Sequence, residues 1–456
     1  MGSGDRGSQS SALQSVVVTV LLSTLLVSSA CLCLASSDQS SSNDGFQFSS
    51  TYYGLQPGGP EEIFRSDGGS MEIWSSNSSA LQNAAVAVTR LTLLPRGLAL
   101  PKYCDAAQIA YVINGTAKVG LAYSSSQQSV HVRSVTKGDV IAIPRGVVHW
   151  LYNDDDKENF VIWSIADTSS AKVPGGEYDG FYLEGAATEE WGSGILHGFD
   201  DELLSHAWDV DPAVVQQIKE SQKGTVVVKV SEDMIRAPFI LQALRGEDES
   251  TSFWENYAYN IDKADPDIKV SNGGSFRMLN SEKFPILEEI ELTAVHLILE
   301  PGALFGPMFT LNAHLLVCVT GGTGRIQVVG SESKPLLDTE VTPGSVLLIP
   351  RFHPAIVTSG IYGLNVVALG TSDWPVFSFL AGKNALDAGV PVEILAASNN
   401  VSVELQQKIL DHRRTEKAIF PPRGKSSSIN KTSFVRAGLN NVLLLLSTMF
   451  LTRFQA

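Results

Sequence analysis

His149 is the side chain in this sequence best placed to do chemistry. It stands in GDVIAIPRGVVHWLYN, residues 138–153. Gly138 and Asp139 read as a turn, 140–143 as an apolar strand, Pro144-Arg145-Gly146 as a tight reversal and 147–152 as the strand coming back, which together predict a hairpin. Side chains alternate across a strand, so His149 shares a face with Val147, Leu151 and Asn153, while Trp150 and Tyr152 point the other way. This predicts an imidazole pointing into a barrel, where it can ligate a metal, move a proton or fill space. No partner for proton transfer stands out: the sequence shows no Ser-His-Asp order, HExxH, CxxC, Walker loop or dinucleotide fingerprint. The carboxylate pairs Glu288-Glu289 and Glu189-Glu190 lie in polar contexts and read as solvated. No catalytic residue is assigned.

The spacing Gly138, five residues, Pro144, one, Gly146, two, His149, three, Asn153 resembles the second motif of the cupin superfamily without a gap. That resemblance implies a double-stranded β-helix, or jelly-roll, barrel, and an upstream metal motif of His-x-His, then Glu, then Gly. Counting back from Gly115 puts Gln108 at the Glu position and Lys102 and Cys104 at the two His positions. Three of the four family ligands are therefore replaced. Cupin metal sites use imidazole and carboxylate donors suited to Mn, Fe or Zn. Cys104 and His149 could contribute to a Zn site with Gln108 as a weak third, but the Lys102 ammonium beside them opposes a cation. The expectation is no metal and no cofactor, with His149 hydrogen-bonded inside the barrel, to Gln108, as a space-filling residue.

The elements around this motif read as short strands from Val86 onward (VAVTRLTLL, ALPKYC, QIAYVI, AKVGLAY, VHVRSV, DVIAIP, VVHWLYN, FVIWSIA), the pattern of an all-β barrel. The acidic run at 154–157 is an exposed loop. Residues 201–224 have helical spacing, with Asp211 and Pro212 as cap and first turn. Strands return at Thr225. The two halves then repeat: Pro101 and Pro307, Gly115 and Gly321, Gly138 and Gly344, and Pro144-Arg145 and Pro350-Arg351 share one offset of 206 positions. The arms repeat as well, ELLSHAWDVDPAVVQQI from Glu202 echoing EILAASNNVSVELQQKI from Glu393. This is a duplicated barrel-plus-arm unit. By the same offset Met308, Thr310, His314 and Ala355 occupy the ligand positions of the second barrel, and Phe352 replaces Gly146.

The fold class is thus mainly β, two tandem cupin barrels each with a helical arm. Residues 1–35 are read as a signal peptide, 36–51 as a Ser-rich leader, 52–224 as the first unit, 225–423 as the second and 424–456 as a Ser-rich spacer with a hydrophobic tail. Such tandem barrels resemble the 11S legumin and glutelin seed storage globulins, and within them the glutelin type-D 1-like branch. The motifs that carry this are LPKYCDAAQIAYVINGTAKVG, HGFDDELLSHAWDVD, GGTGRIQVV, GSVLLIPRFH and RRTEKAIFPPR, over residues 54–423. The resemblance implies a non-enzymatic nutrient reservoir and a homotrimer. The Asn-Gly processing site and the bridging cysteines of that family are not visible. A sugar-like small-ligand binder and a germin-type metal enzyme are the competing readings, and the replaced ligands argue against the second.

Composition bounds the partners. The chain has 456 residues, 44% hydrophobic and 18% charged, enough for two cores. Its 33 Lys and Arg against 48 Asp and Glu give a net charge of −15, and no basic cluster interrupts it, which excludes a nucleic-acid partner. The run SVVVTVLLSTLLVSSACLCLA resembles a secretory signal peptide cleaved after Ala35, with an uncleaved anchor as the alternative. Cleavage removes Cys31 and Cys33 and leaves Cys104 and Cys318 as free buried thiols. Sequons at Asn77, Asn114, Asn400 and Asn430 fit a secretory route, although Asn114-Gly115 also reads as a hairpin turn. At the C-terminus, Ser426, Ser427 and Ser428, a polar spacer and an apolar tail follow the order of a GPI-attachment signal. A spanning tail helix and a merely hydrophobic tail are the alternatives. The expected location is the cell exterior or, through a GPI anchor, its surface, with the vacuole as an alternative destination.

Overall fold

Each strand run finds its partners in one of two barrels. The computed structural model describes residues 54–56, 59–74, 78–122, 131–171, 178–185, 194–231, 254–331 and 335–423. The signal peptide, leader and C-terminal tail expected from the sequence lie outside the described residues, as do Asn77, Asn430, Glu189 and Glu190. In the first barrel one sheet runs in the order Glu61–Ser66, Gly69–Trp74, Val86–Leu93, Phe160–Asp167, Ala107–Asn114, Asp139–Ile143, Ala258–Asn260. The facing sheet runs Gly180–Tyr182, Gly97–Cys104, Val148–Tyr152, Thr116–Ala122, His131–Thr136, with Val227–Lys229 also paired to Gly97–Cys104. The leading pair of strands, before Val86, was not among those read from the sequence.

The expected hairpin at 138–153 does not form. Asp139–Ile143 pairs with Ala107–Asn114 and Ala258–Asn260, whereas Val148–Tyr152 pairs with Gly97–Cys104 and Thr116–Ala122 in the opposite sheet. Pro144-Arg145-Gly146 carries the chain from one sheet to the other, Gly146 taking a positive φ of 76°. The reason is burial on both faces. All five residues of Asp139–Ile143 are buried; Ile141 and Ile143 pack into the first barrel's core, and Val140 and Ala142 join a core continuous with the second barrel. Asn114-Gly115 likewise crosses between sheets rather than closing a hairpin, since Ala107–Asn114 and Thr116–Ala122 belong to different sheets.

The second barrel follows the same plan with longer strands. Leu315–Val329 and Ala355–Gly370 run the length of the barrel and bend at irregularities between Val319 and Gly321 and between Gly322 and Gly324. The 206-residue offset holds at the level of register: Lys102 faces His149 in the first barrel and Met308 faces Ala355 in the second. The Gly146 amide donates to Cys104 O at 2.9 Å and the Phe352 amide to Thr310 O at 2.8 Å. The barrels also exchange their lead-in segments. The Ala142 amide donates to Tyr257 O at 2.9 Å, and Leu348, its counterpart in the second barrel, donates to Leu55 O at 2.7 Å. Thus Val227–Lys229 and Ala258–Asn260, placed in the second unit by the sequence reading, pair with the first barrel, and Leu55 pairs with the second.

The arms form as their caps dictate. Asp201–Trp208 and Pro212–Ser221 make the first pair, with Asp211 Oδ1 accepting from the Ala213 amide at 2.8 Å and Pro212 in the first turn. Val392–Asn399 and Val403–Asp411 make the second, capped at Ser402, whose Oγ accepts from the Leu405 amide at 3.2 Å. Asp209 and Asn400 end the two leading helices in the same left-handed conformation. On the second helix of the first arm Val215 is fully buried within the chain while Val214 and Ile218 stay exposed.

Candidate functional site

Lys102 and His149 meet on adjacent strands facing the interior of the first barrel. His149 is buried, and its Nδ1 donates to Val147 O at 3.1 Å rather than bonding Gln108 as expected from the sequence. Burial first, then the neighbouring Lys102 charge, pushes its imidazole down to about 3, so the ring is neutral. The carbonyl partner places the ring proton on Nδ1 and leaves the lone pair on Nε2. Gln108 is buried beside the Cys104 thiol, and its Nε2 finds no hydrogen-bond acceptor.

Lys102 sits half-buried with Nζ 5.5 Å from the centre of the Tyr182 ring. Burial opposes its charge; its value still lies above the ordinary one, through Tyr182, Cys104 and Tyr178 once these ionise in alkaline solution and through a hydrogen bond to Tyr182. Burial pushes the Cys104 thiol up and the Tyr178 phenol up to about 12, leaving both protonated at neutral pH. An ammonium, a protonated thiol, an amide and one neutral imidazole do not fit a divalent metal. Among the described residues no group of three or more His, Cys, Asp or Glu could hold a metal ion.

The corresponding positions of the second barrel are more apolar still. Met308 and Ala355 are core residues, and Thr310 Oγ1 donates to Ala313 O at 2.5 Å. His314 accepts at Nδ1 from the Arg351 amide at 3.4 Å, and burial followed by the Arg351 and His353 charges pushes it down to about 4. These four residues form no donor set. Cys104 and Cys318 are free and buried. Glu288 and Glu289 are exposed on the short helix Ile286–Ile290, and the sequon residues Asn114 and Asn400 are exposed.

Sequence reasoning missed the cavity above Lys102. It measures about 320 Å³ and lies between the two sheets, with Met71, Ile73, Leu81 and Val88 on its wall and Tyr178 and Tyr182 beside Lys102. Tyr182 is paired in register with Lys102 through the three-residue strand Gly180–Tyr182. A strand that short has too few residues to show a period, so only the aromatic cluster EYDGFY could have signalled it.

Two duplicated jelly-roll barrels with paired helical arms and replaced inner ligands define a bicupin of seed storage globulin architecture. The cupin family model matches residues 55–216 and 259–407, and the chain belongs to that family. It is 29% identical over 441 residues to the 13S globulin seed storage protein of Fagopyrum tataricum, covering 80% of this chain and 85% of that protein. Cocosin 1 of Cocos nucifera is 28% identical over 408 residues, covering 80% and 88%. The solved structure of recombinant pro-11S globulin of pumpkin matches with a TM-score of 0.72 at 26% identity, over 81% of this chain and 98% of that one.

Proposed function

We propose that this chain is a non-enzymatic 11S globulin-like bicupin with the role of a nutrient reservoir in the secretory pathway. The observation that carries this reading is the likeness to seed storage globulins, which spans both barrels. The inner ligand positions support it from the chemical side, because neither Lys102, Cys104, Gln108 and His149 nor Met308, Thr310, His314 and Ala355 offer a metal or an acid–base pair a reacting centre. Quantifying the protein through seed filling and germination tests the role: accumulation during filling and loss on germination are expected, and a constant low level would overturn it.

The assembled form in this reading is a homotrimer. Exposed Leu203, Trp208, Val214 and Ile218 on the first arm, and Ile394, Leu405 and Ile409 on the second, make apolar surfaces that a neighbouring subunit's arm would cover. The secretory route rests on the leader sequence and on exposed Asn114 and Asn400 as glycan acceptors. A GPI anchor at Ser426, Ser427 or Ser428 would add a surface-bound form. Phosphatidylinositol-specific phospholipase C would release such a form from membranes, and recovery of a mature peptide ending at Ala456 would exclude it.

A further inference from the structure

The cavity of the first barrel has a largely apolar wall and a cationic end. Met71, Ile73, Leu81 and Val88 supply the wall, and Lys102 supplies the charge. Lys102 pairs with no carboxylate of the described residues, its Nζ lying instead over the Tyr182 ring. A half-buried cation without a counter-ion costs free energy that a bound anion reduces. The storage role makes no demand on such an arrangement, and a solid core would serve it better.

We propose that this cavity binds a medium-chain aliphatic carboxylate, its head group on Lys102 and its tail along the apolar wall. The head would accept from the Lys102 ammonium and from the Tyr178 and Tyr182 hydroxyls, three donors on one lining. At about 320 Å³ the cavity lies at the small end of the range for ligand sites. Sugar fits poorly, since a wall this apolar leaves most of its hydroxyls without partners, Gln82 and Thr89 being the polar side chains on the lining away from Lys102 and the two phenols. Gly180 stands exposed at the cavity edge, and a Cβ built there would meet nothing closer than 3.9 Å, from Cys104 Sγ and the Tyr182 ring. Gly180→Leu therefore adds bulk at the cavity edge from a position where the Cβ meets no backbone.

Isothermal titration of the mature full-length protein with decanoate, and with decanol as the neutral control, tests the assignment. One decanoate per chain is expected, bound at least about tenfold more tightly than decanol, the contribution of a charge-assisted hydrogen bond. Lys102→Met should weaken decanoate about tenfold and change decanol by less than about twofold, while Gly180→Leu should abolish both. Thermal unfolding midpoints verify that each variant folds. Should Lys102→Met fail to fold, the decanoate-to-decanol ratio of the unaltered protein and the Gly180→Leu result still decide the matter. Equal affinity for the two probes, undiminished decanoate binding by Gly180→Leu, or no saturation in the millimolar range overturns the proposal and leaves the storage reading untouched.

Discussion

Phe352 holds in the second barrel the place that Gly146 holds in the first. Both residues take a left-handed backbone, φ 67° and 76°, and both amides bond the equivalent carbonyl across the turn. Glycine adopts that conformation without strain and phenylalanine does not. The Phe352 ring recovers part of the cost, with Arg351 5.8 Å from its centre. Phe352→Gly should therefore stabilise the fold by roughly 0.5–1 kcal/mol in urea denaturation, and Gly146→Phe should destabilise it by a similar amount or more. His149 predicts a pH dependence. Its folded value of about 3 lies below the ordinary 6.5, so between those limits the unfolded chain takes up a proton that the folded chain refuses. Acidification from pH 6.5 towards 3 then lowers stability by roughly 1.4 kcal/mol per pH unit from this ring, with His314 adding to the fall down to about 4. His149→Gln should flatten that acid limb; an unchanged slope would show that the ring titrates normally. At this scale the inward aim of His149 was legible from simple alternation. The phenols around Lys102 were not, because they arrive far along the chain, Tyr182 from a three-residue strand and Tyr178 from just before it.

Helical arms show how much a local pattern can say. The cap at Asp211 and the helical spacing were readable, since both depend on neighbours a few residues away. Which apolar side chain turns inward was not, since that depends on what the arm lies against. Val215 faces the chain's own interior and Val214 faces solvent, so the two make opposite predictions. Val215→Ala should cost about 2 kcal/mol of stability and leave the oligomer intact. Val214→Asp should leave the subunit folded and shift its sedimentation towards the monomer, as should Leu405→Asp with Ile409→Asp. A protein that already sediments as a monomer at micromolar concentration would remove the trimer. The same limit explains the hairpin expected at 138–153. Turn chemistry at Pro144-Arg145-Gly146 marks a reversal, but only the second barrel, packed on Val140 and Ala142, decides that the two strands go to separate sheets.

Across the whole molecule the barrels are joined by more than apolar contact. Tyr111 of the first barrel donates to Asp262 at 3.1 and 3.2 Å, and His296 of the second places Nδ1 3.0 Å from Asp262 and Nε2 2.7 Å from Asn365 Oδ1. Burial works against the Asp262 carboxylate, but His296, Tyr111 and Lys137 outweigh it and hold it below the usual range. Asp262→Ala should cost about 2 kcal/mol by leaving the buried Tyr111 hydroxyl without its acceptor, and calorimetry should then resolve two unfolding transitions in place of one. The duplication was visible in the sequence because turn residues keep their offset. The exchange of lead-in segments was not, because a segment's pairing partner leaves no mark on its own composition. That exchange bears on what happens when the backbone is cut. After a single cleavage between Ser231 and Trp254, each fragment would still hold a strand or carbonyl that the other's barrel requires, Leu55 on one side and residues 257–260 on the other. The nicked protein should behave as a complementing heterodimer, its halves co-eluting from a column without any disulfide between Cys104 and Cys318 and separating only in denaturant.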